Sequence, residues 1–296
     1  MNKDKIKLGI SPIDWTNDDL PALGGDITFE QCVSEMALAG FSGSEVGNKY
    51  PKDPKILKPM LDLRGLTFCN QWFSLFLTTK SLEDIIVDFN KQLDFLEEMG
   101  ANIIGLAEQG NSIQGLNKSI FDEKPIFDDS QWQVIANGLN VLGKIAKERG
   151  FKLAYHHHMG TACQTIEETK KLLDLTDERY VFLIYDSGHF AFSNEDPVKA
   201  LNLFIDRVAH VHLKDIRANI VEKVKKEKLS FLDAVRAGAF TIPGDGCIDF
   251  SSIFKILDEN NYEGWMVVEA EQDPLKANPL EYAIQARKYI KENTGL

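Results

Sequence analysis

The sequence predicts a closed, parallel (β/α)8 TIM barrel built from all 296 residues as one domain. Two observations point there. Eight apolar runs of strand length alternate with amphipathic stretches of helical length, and no Pro/Ser-rich linker divides the chain. An open, doubly wound sheet is the competing arrangement. No GxGxxG follows the first run, however, so a dinucleotide fold has little support.

The strands are expected at residues 7–11, 43–46, 67–73, 103–107, 152–158, 181–186, 209–214 and 265–270. Between the first two, residues 29–39 place apolar side chains at helical spacing, and Gly40 stops them where a left-handed residue closes a helix. Residues 82–99 repeat the design, with Ser81 as N-cap, Asp84 three residues later and Gly100 as terminator. A further helix covers 132–149 and ends at Gly150. Two segments break the rhythm. Residues 109–130 are too long for a plain strand-to-helix turn, and residues 216–247 carry one basic helix followed by FTIPGDGCIDF. Long connections in compact domains serve as lids or binding loops, so both are expected as active-site loops. The mixed-sign run 222–228 reads as a solvated helix face.

Composition excludes several classes. A net charge of −12 and a pI near 5.0 argue against a nucleic-acid partner. No apolar run approaches the roughly 18 residues of a membrane span. The start, MNKDKIKLGIS, enters a strand directly without the apolar stretch of a signal peptide, so a cytoplasmic location is expected. Cys32, Cys69, Cys163 and Cys247 form no CxxC pair and are expected as small buried hydrophobes in a reducing compartment. A homo-oligomer is compatible with all of this.

All six histidines lie between His156 and His212, in KLAYHHH, FLIYDSGH and AHVHLKD, and a fourth apolar run, WMVVEAE, ends in carboxylates. Side chains alternate along a barrel strand. One parity choice per strand directs His156, His158, Asp186, His212, Lys214 and Glu269 into one axial pocket and leaves His157 with Tyr155 toward the helices. Taken singly, each is as readily a hydrogen-bonded structural group. Together, a dry interior would not tolerate them without a cation. They read as a divalent-metal site of two carboxylates and one or two imidazoles, on strands that stop at His, Asp, His and Glu. Carboxylates with imidazoles and no thiolate suit Mn²⁺, Co²⁺, Mg²⁺ or Fe²⁺ better than structural zinc. Such an ion with open positions grips a carbonyl and a neighbouring hydroxyl and stabilises the enediolate formed when a proton leaves the adjacent carbon. The reaction class is therefore proton abstraction beside a carbonyl, leading to isomerisation, epimerisation or loss of water.

At these residues the chain resembles the xylose-isomerase-like barrel superfamily. The Asp186-Ser-Gly-His189 turn, HVHLKD around His212, GDGCIDF and the terminal Glu269 follow its pattern over essentially the whole length. Most members close the fifth strand with a ligating Glu; His156 stands there in this chain. YHHHMGT, together with GISPIDWTNDDLPALGGD, GSEVGNKYP and CNQWFS, is similar to the inosose dehydratase family. That resemblance implies a hydro-lyase acting on a small polyol ketone, 2-keto-myo-inositol (scyllo-inosose), and giving a trihydroxycyclohexane-dione. It implies Mn²⁺ or Co²⁺, with glutathione as a further cofactor. Asp186, His212 and Glu269 match the ligand positions, and His189 matches a residue that faces substrate.

The acid and base are expected among His158 and His189, because imidazole serves either role near neutral pH. Lys214 would offset enolate charge, and Glu45, ending the second strand, is another candidate base. Trp15 and Trp72 are expected as apolar walls for the ring, and Asn70 and Gln71 as hydroxyl binders. Three alternatives stay open. An isomerase or epimerase of the same superfamily would lose no water. A phosphodiesterase for abasic DNA needs histidines on the second and third strands, where Glu45 and Gln71 stand. A non-catalytic polyol-binding protein has no use for an inward Lys214 and surplus histidines.

Overall fold

Short apolar runs become nine parallel strands of one curled sheet in the computed structural model, which describes residues 1–296. They are β1 (Ile6–Ile10), β2 (Gly43–Ser44), β3 (Thr67–Phe68), β4 (Trp72–Leu75), β5 (Ile103–Glu108), β6 (Lys152–His156), β7 (Val181–Asp186), β8 (Val208–Leu213) and, after an excursion, β11 (Gly264–Val268). The excursion holds β9 (Asp215–Ile216) and β10 (Phe240–Thr241), which pair antiparallel. Helices α1 (Phe29–Leu38), α2 (Pro54–Asp62), α3 (Leu82–Met99), α4 (Asp129–Glu148) and α5 (Ile166–Leu175) follow β1, β2, β4, β5 and β6, and α6 (Ser187–Phe192) and α7 (Pro197–Phe204) both follow β7. Helices α8 (Ala218–Glu227) and α9 (Phe231–Ala237) belong to the excursion, and α10 (Phe250–Glu259) and α11 (Pro279–Thr294) complete the ring.

The strand order β3-β2-β1-β11-β8-β7-β6-β5-β4 closes a barrel because β3 and β4 are two halves of one stave. The single strand expected at 67–73 is thus interrupted at Cys69, Asn70 and Gln71. Asn70 replaces the missing ladder contacts. Its Oδ1 accepts from the Gly105 N–H at 2.8 Å, and its Nδ2 donates to Glu45 Oε1 at 3.1 Å.

A cluster of 61 buried hydrophobic residues fills the layer between sheet and helices. Inside the barrel, Cys69, Trp265 and Val267 pack together as an apolar floor. Gly43 makes room for that floor: a Cβ there would lie 2.4 Å from the Trp265 ring. Polar residues are therefore confined to the upper, C-terminal end of the barrel, where active sites of this architecture form.

Capping residues set most helix bounds. Thr28 accepts from the Gln31 N–H and Gly40 (φ +88°) follows α1; Ser81 and Gly100 (φ +77°) bracket α3. Helix α4 begins three residues before the expected start, because Asp128 and Gln131 form a capping box there. The basic helix expected within 216–247 is two helices. Lys228 takes a left-handed conformation (φ 54°) that ends α8, and Ser230 caps α9. The Asp215 carboxylate accepts from the N–H groups of Gly244, Gly246, Cys247 and Ile248, tying FTIPGDGCIDF to the end of β8. Cys32, Cys69 and Cys163 are buried as expected; Cys247, on this loop, is exposed instead. No helix is long and apolar enough to cross a membrane.

Candidate active site

The register of β6, β7, β8 and β11 brings the polar strand ends together. Asp186 pairs with His212, His156 with Ile184, and Val267 with His212, one inward position below Glu269. A bulge between β7 and β8 makes this alignment: Leu183 pairs with Val208 but Ile184 pairs with His210, so Ala209 is extra. Without it, His210 and His212 would be one rung out of step with Asp186.

Three donor atoms, from His156, Asp186 and His212, converge as a result, with a Glu269 oxygen beside His212. His156 Nε2 lies 3.3 Å from His212 Nδ1 and 3.5 Å from Asp186 Oδ2. His212 Nδ1 is 3.5 Å from Asp186 Oδ2 and 3.2 Å from Glu269 Oε2. Metal–ligand bonds of about 2.1 Å set donor–donor edges of about 3.0 to 3.4 Å; the spacings here, 3.2 to 3.5 Å, lie at the wide end of that range or just past it, and a divalent ion would draw the donors in slightly. Asp186 Oδ1 accepts from the His189 N–H at 2.8 Å, whereas its buried Oδ2 has no hydrogen-bond partner. His156 Nδ1–H donates to the carbonyl of His157, leaving Nε2 as a lone-pair donor. His212 Nε2–H donates to Glu45 Oε1, which frees Nδ1 in the same way. Burial opposes charge on His212, but Glu269 and Glu45 outweigh it and hold its pKa well above the ordinary range. The cluster requires positive charge at that point, from a proton or from a metal ion.

Glu45 lies beneath this centre and is fully engaged. Its Oε1 accepts from Asn70 Nδ2, His210 Nε2 and His212 Nε2, all at 3.1–3.2 Å. Burial raises its pKa, but His212 and His210 more than reverse this and hold it well below the carboxylate range. The expected free base is thus an anchored anion that orients His212.

His158 and Trp72 line a cleft of about 740 Å³ that opens above the donor cluster. His158 Nδ1–H donates to the Met159 carbonyl at 2.8 Å. Burial, then the charges of His156 and Lys214, push its pKa well down, so the ring is neutral. His189 is not on the cleft; it is fully buried behind His158, ring centroids 3.9 Å apart. Both its nitrogens face donors, the Met159 N–H at Nδ1 and Lys214 Nζ at Nε2. Lys214 is also fully buried, with Nζ 2.5 Å from Glu269 Oε1 and 3.0 Å from Glu271 Oε1. Burial opposes its charge, yet Glu269, Glu271 and Asp186 keep it an ammonium.

Trp72 is 37% exposed and packs at steep interplanar angles, 66° and 67°, against His156 and His158. Gln71 and Asn70 also line the cleft, although Asn70 is occupied by Glu45 and Gly105. Trp15 is not brought to the cleft. The turn at Pro12–Asp14 swings its indole into the core, where Nε1 donates to Glu35 Oε2 at 2.6 Å. That same turn points Asp14 inward to accept from the Ala270 N–H. Glu271, a residue the sequence reading missed, is buried on the cleft wall; burial pushes its pKa up to about 7 against the pull of Lys214. Its signal was the Glu-Ala-Glu spacing, which gives it the parity of Glu269.

The family model for xylose isomerase-like TIM barrels matches residues 33–293. An inosose dehydratase of Clostridium beijerinckii is 60% identical over 296 residues, covering 100% of this chain and 99% of the relative. That of Geobacillus thermodenitrificans is 58% identical over 295 residues, covering 99% of each. Among solved structures, the probable 3-DHS dehydratase AsbF from Bacillus anthracis superposes with a TM-score of 0.73 at 17% identity, over 96% of this chain and 98% of that one. The IolI protein, solved with a bound zinc atom, gives 0.71 at 16% identity over 98% of both chains.

Proposed function

The chain belongs to the inosose dehydratases, within the xylose isomerase-like TIM barrels, and on that premise we propose that it is a hydro-lyase converting 2-keto-myo-inositol (scyllo-inosose) to a trihydroxycyclohexane-1,2-dione. The observation that carries the chemistry is the convergence of His156, Asp186 and His212, with Glu269 beside His212, around an unpaired Asp186 oxygen, beneath a cleft wide enough for a polyol ring. Those residues would hold a divalent ion; their nitrogen and oxygen donors accommodate Mn²⁺, Co²⁺, Mg²⁺ or Fe²⁺, and kinship with the inosose dehydratases favours Mn²⁺ or Co²⁺ among them. A bound ion there supplies Lewis-acid polarisation of the ketone. Glutathione enters this reading as the reductant that keeps the ion divalent and the exposed Cys247 a thiol.

The chain's own residues divide the remaining work. A proton leaves the carbon beside the ketone and a hydroxyl leaves the next carbon; together they make one water, and the resulting enol tautomerises to the dione. His158 takes the first proton at Nε2, since Nδ1–H is committed to the Met159 carbonyl and the ring is neutral. Glu271, with its raised pKa, donates a proton to the departing hydroxyl. Lys214 holds Glu269 and Glu271 in register, and Trp72 offers a flat wall to the ring. The cleft lining sets Asp18, Asp19, Glu45, Asp88, Glu269 and Glu271 against Lys52 and Lys91, an acidic balance that suits an uncharged polyol rather than a phosphorylated sugar. The four free cysteines fit a reducing cytoplasm.

The test is incubation of Mn²⁺-loaded protein with scyllo-inosose and mass spectrometry of the product. A loss of about 18 Da is expected from metal-assisted dehydration. Turnover with unchanged mass would replace this reading with the isomerase or epimerase alternative.

A further inference from the structure

Beside the converging donors lies a second group with ligand character. His158, His189 and Glu271 each offer one donor atom, all within 4.8 Å of one another, and Asp186, His189 and Glu269 form an overlapping set. The Lys214 ammonium fills the space among them. It is 2.5 Å from Glu269 Oε1, 3.0 Å from Glu271 Oε1, 3.1 Å from His189 Nε2 and 3.8 Å from Asp186 Oδ2. Two carboxylates, a third at longer range and an imidazole around one buried cation are what a divalent ion would also accept.

Glu269 connects the two positions. Its Oε2 faces His212 Nδ1 at 3.2 Å while its Oε1 faces Lys214, the bridging posture of carboxylates in two-metal sites. The socket is shaped for the lysine stem. Gly188 has no side chain there, and a Cβ would lie 2.4 Å from Lys214 Cγ. Ser187 Oγ donates to the Lys214 carbonyl at 2.8 Å, and the Phe240 ring covers Nζ at 4.6 Å.

We infer that Lys214 is a covalently attached second cation, and that His189, Glu269 and Glu271, the three groups within 3.1 Å of its ammonium, form a latent second divalent-metal site which that ammonium keeps closed. The centre is thereby held at one exchangeable ion, with the second positive charge supplied by the chain itself. This inference rests on the metal centre proposed above.

Mn²⁺-saturated, desalted protein is analysed for ions per chain by plasma mass spectrometry, with electron paramagnetic resonance to detect a coupled Mn²⁺ pair and circular dichroism to verify folding. Wild type is expected to hold one ion. Lys214→Met is expected to hold two, with a coupled signal, and Lys214→Met/Glu271→Gln to return to one. Should Lys214→Met fail to fold, Lys214→Gln keeps a hydrogen-bonding head without the charge and is expected to admit the same second ion. An empty wild type overturns the metal centre and this inference with it. One ion in wild type and still one in the folded Lys214 variants overturns the inference alone, as do two ions in wild type.

Discussion

Glu45 contributes to the centre through the three groups it orients, with no direct contact to a reacting atom. By accepting from His212 Nε2 it keeps Nδ1 available as a donor toward Asp186 and Glu269. Outer partners of this kind are worth about 10- to 100-fold in metal affinity. Glu45→Gln is therefore expected to weaken Mn²⁺ binding by that factor in titration calorimetry, and unchanged affinity would remove Glu45 from the centre. Glu271 is testable through pH. Burial raises its pKa from the ordinary 4.5 to about 7, so it carries a proton below pH 7 and loses it above. A proton donor must be protonated, so kcat/KM should hold on the acid side of 7 and fall as pH rises through it. In Glu271→Gln that basic limb should be absent; a limb that persists would assign it to another group. Residues such as His156, His158, Asp186, His212, Lys214 and Glu269 were legible in the sequence because two-residue alternation is local. Trp15 was misplaced because a single turn after β1 exchanges the directions of Asp14 and Trp15.

At the level of elements, the interrupted third stave and the β8 bulge do the positioning. Asn70 takes the place of sheet pairing between β3 and β4 and ties β5 to Glu45. Asn70→Ala leaves the buried Gly105 N–H without an acceptor, and an orphaned buried donor costs about 1–3 kcal/mol. Urea denaturation should show that loss, accompanied by weaker metal binding through the released Glu45; a fully stable variant would show that the break needs no bridge. Neither device was legible beforehand. Cys-Asn-Gln reads as strand in isolation, and Ala209 is indistinguishable from a regular β8 residue until its neighbour is in place. Some helix ends were legible from local caps, as at Ser81 and Gly100, but the equally local Asp128–Gln131 capping box and the Ser230 cap were passed over. The break at Lys228 was missed because a lysine in the left-handed conformation announces nothing in sequence.

The molecule as a whole gathers its acidic charge into the barrel mouth. Glu45, Asp186, Glu269 and Glu271 are drawn together against Lys214 and a set of largely neutral imidazoles. An ion that binds only the folded state adds RT ln(1 + [L]/Kd) of stability, about 2.7 kcal/mol at a hundredfold excess over Kd. Calorimetry is accordingly expected to place the melting midpoint several degrees higher with Mn²⁺ than with chelator. Coincident midpoints would mean that no ion is bound at this centre.

Strand-length runs, their inward parity and the residues closing four of them are properties of adjacent positions. The chain alone therefore determined the barrel, the end of it that is polar and the six side chains directed there. Which rungs lie side by side, how the third stave is bridged, that Trp15 leaves the mouth and that Glu271 joins it were decided only by the tertiary structure. Those outcomes depend on contacts such as Asn70 to Glu45 and Glu45 to His212, between segments far apart along the chain, and no local pattern encodes the distance between them.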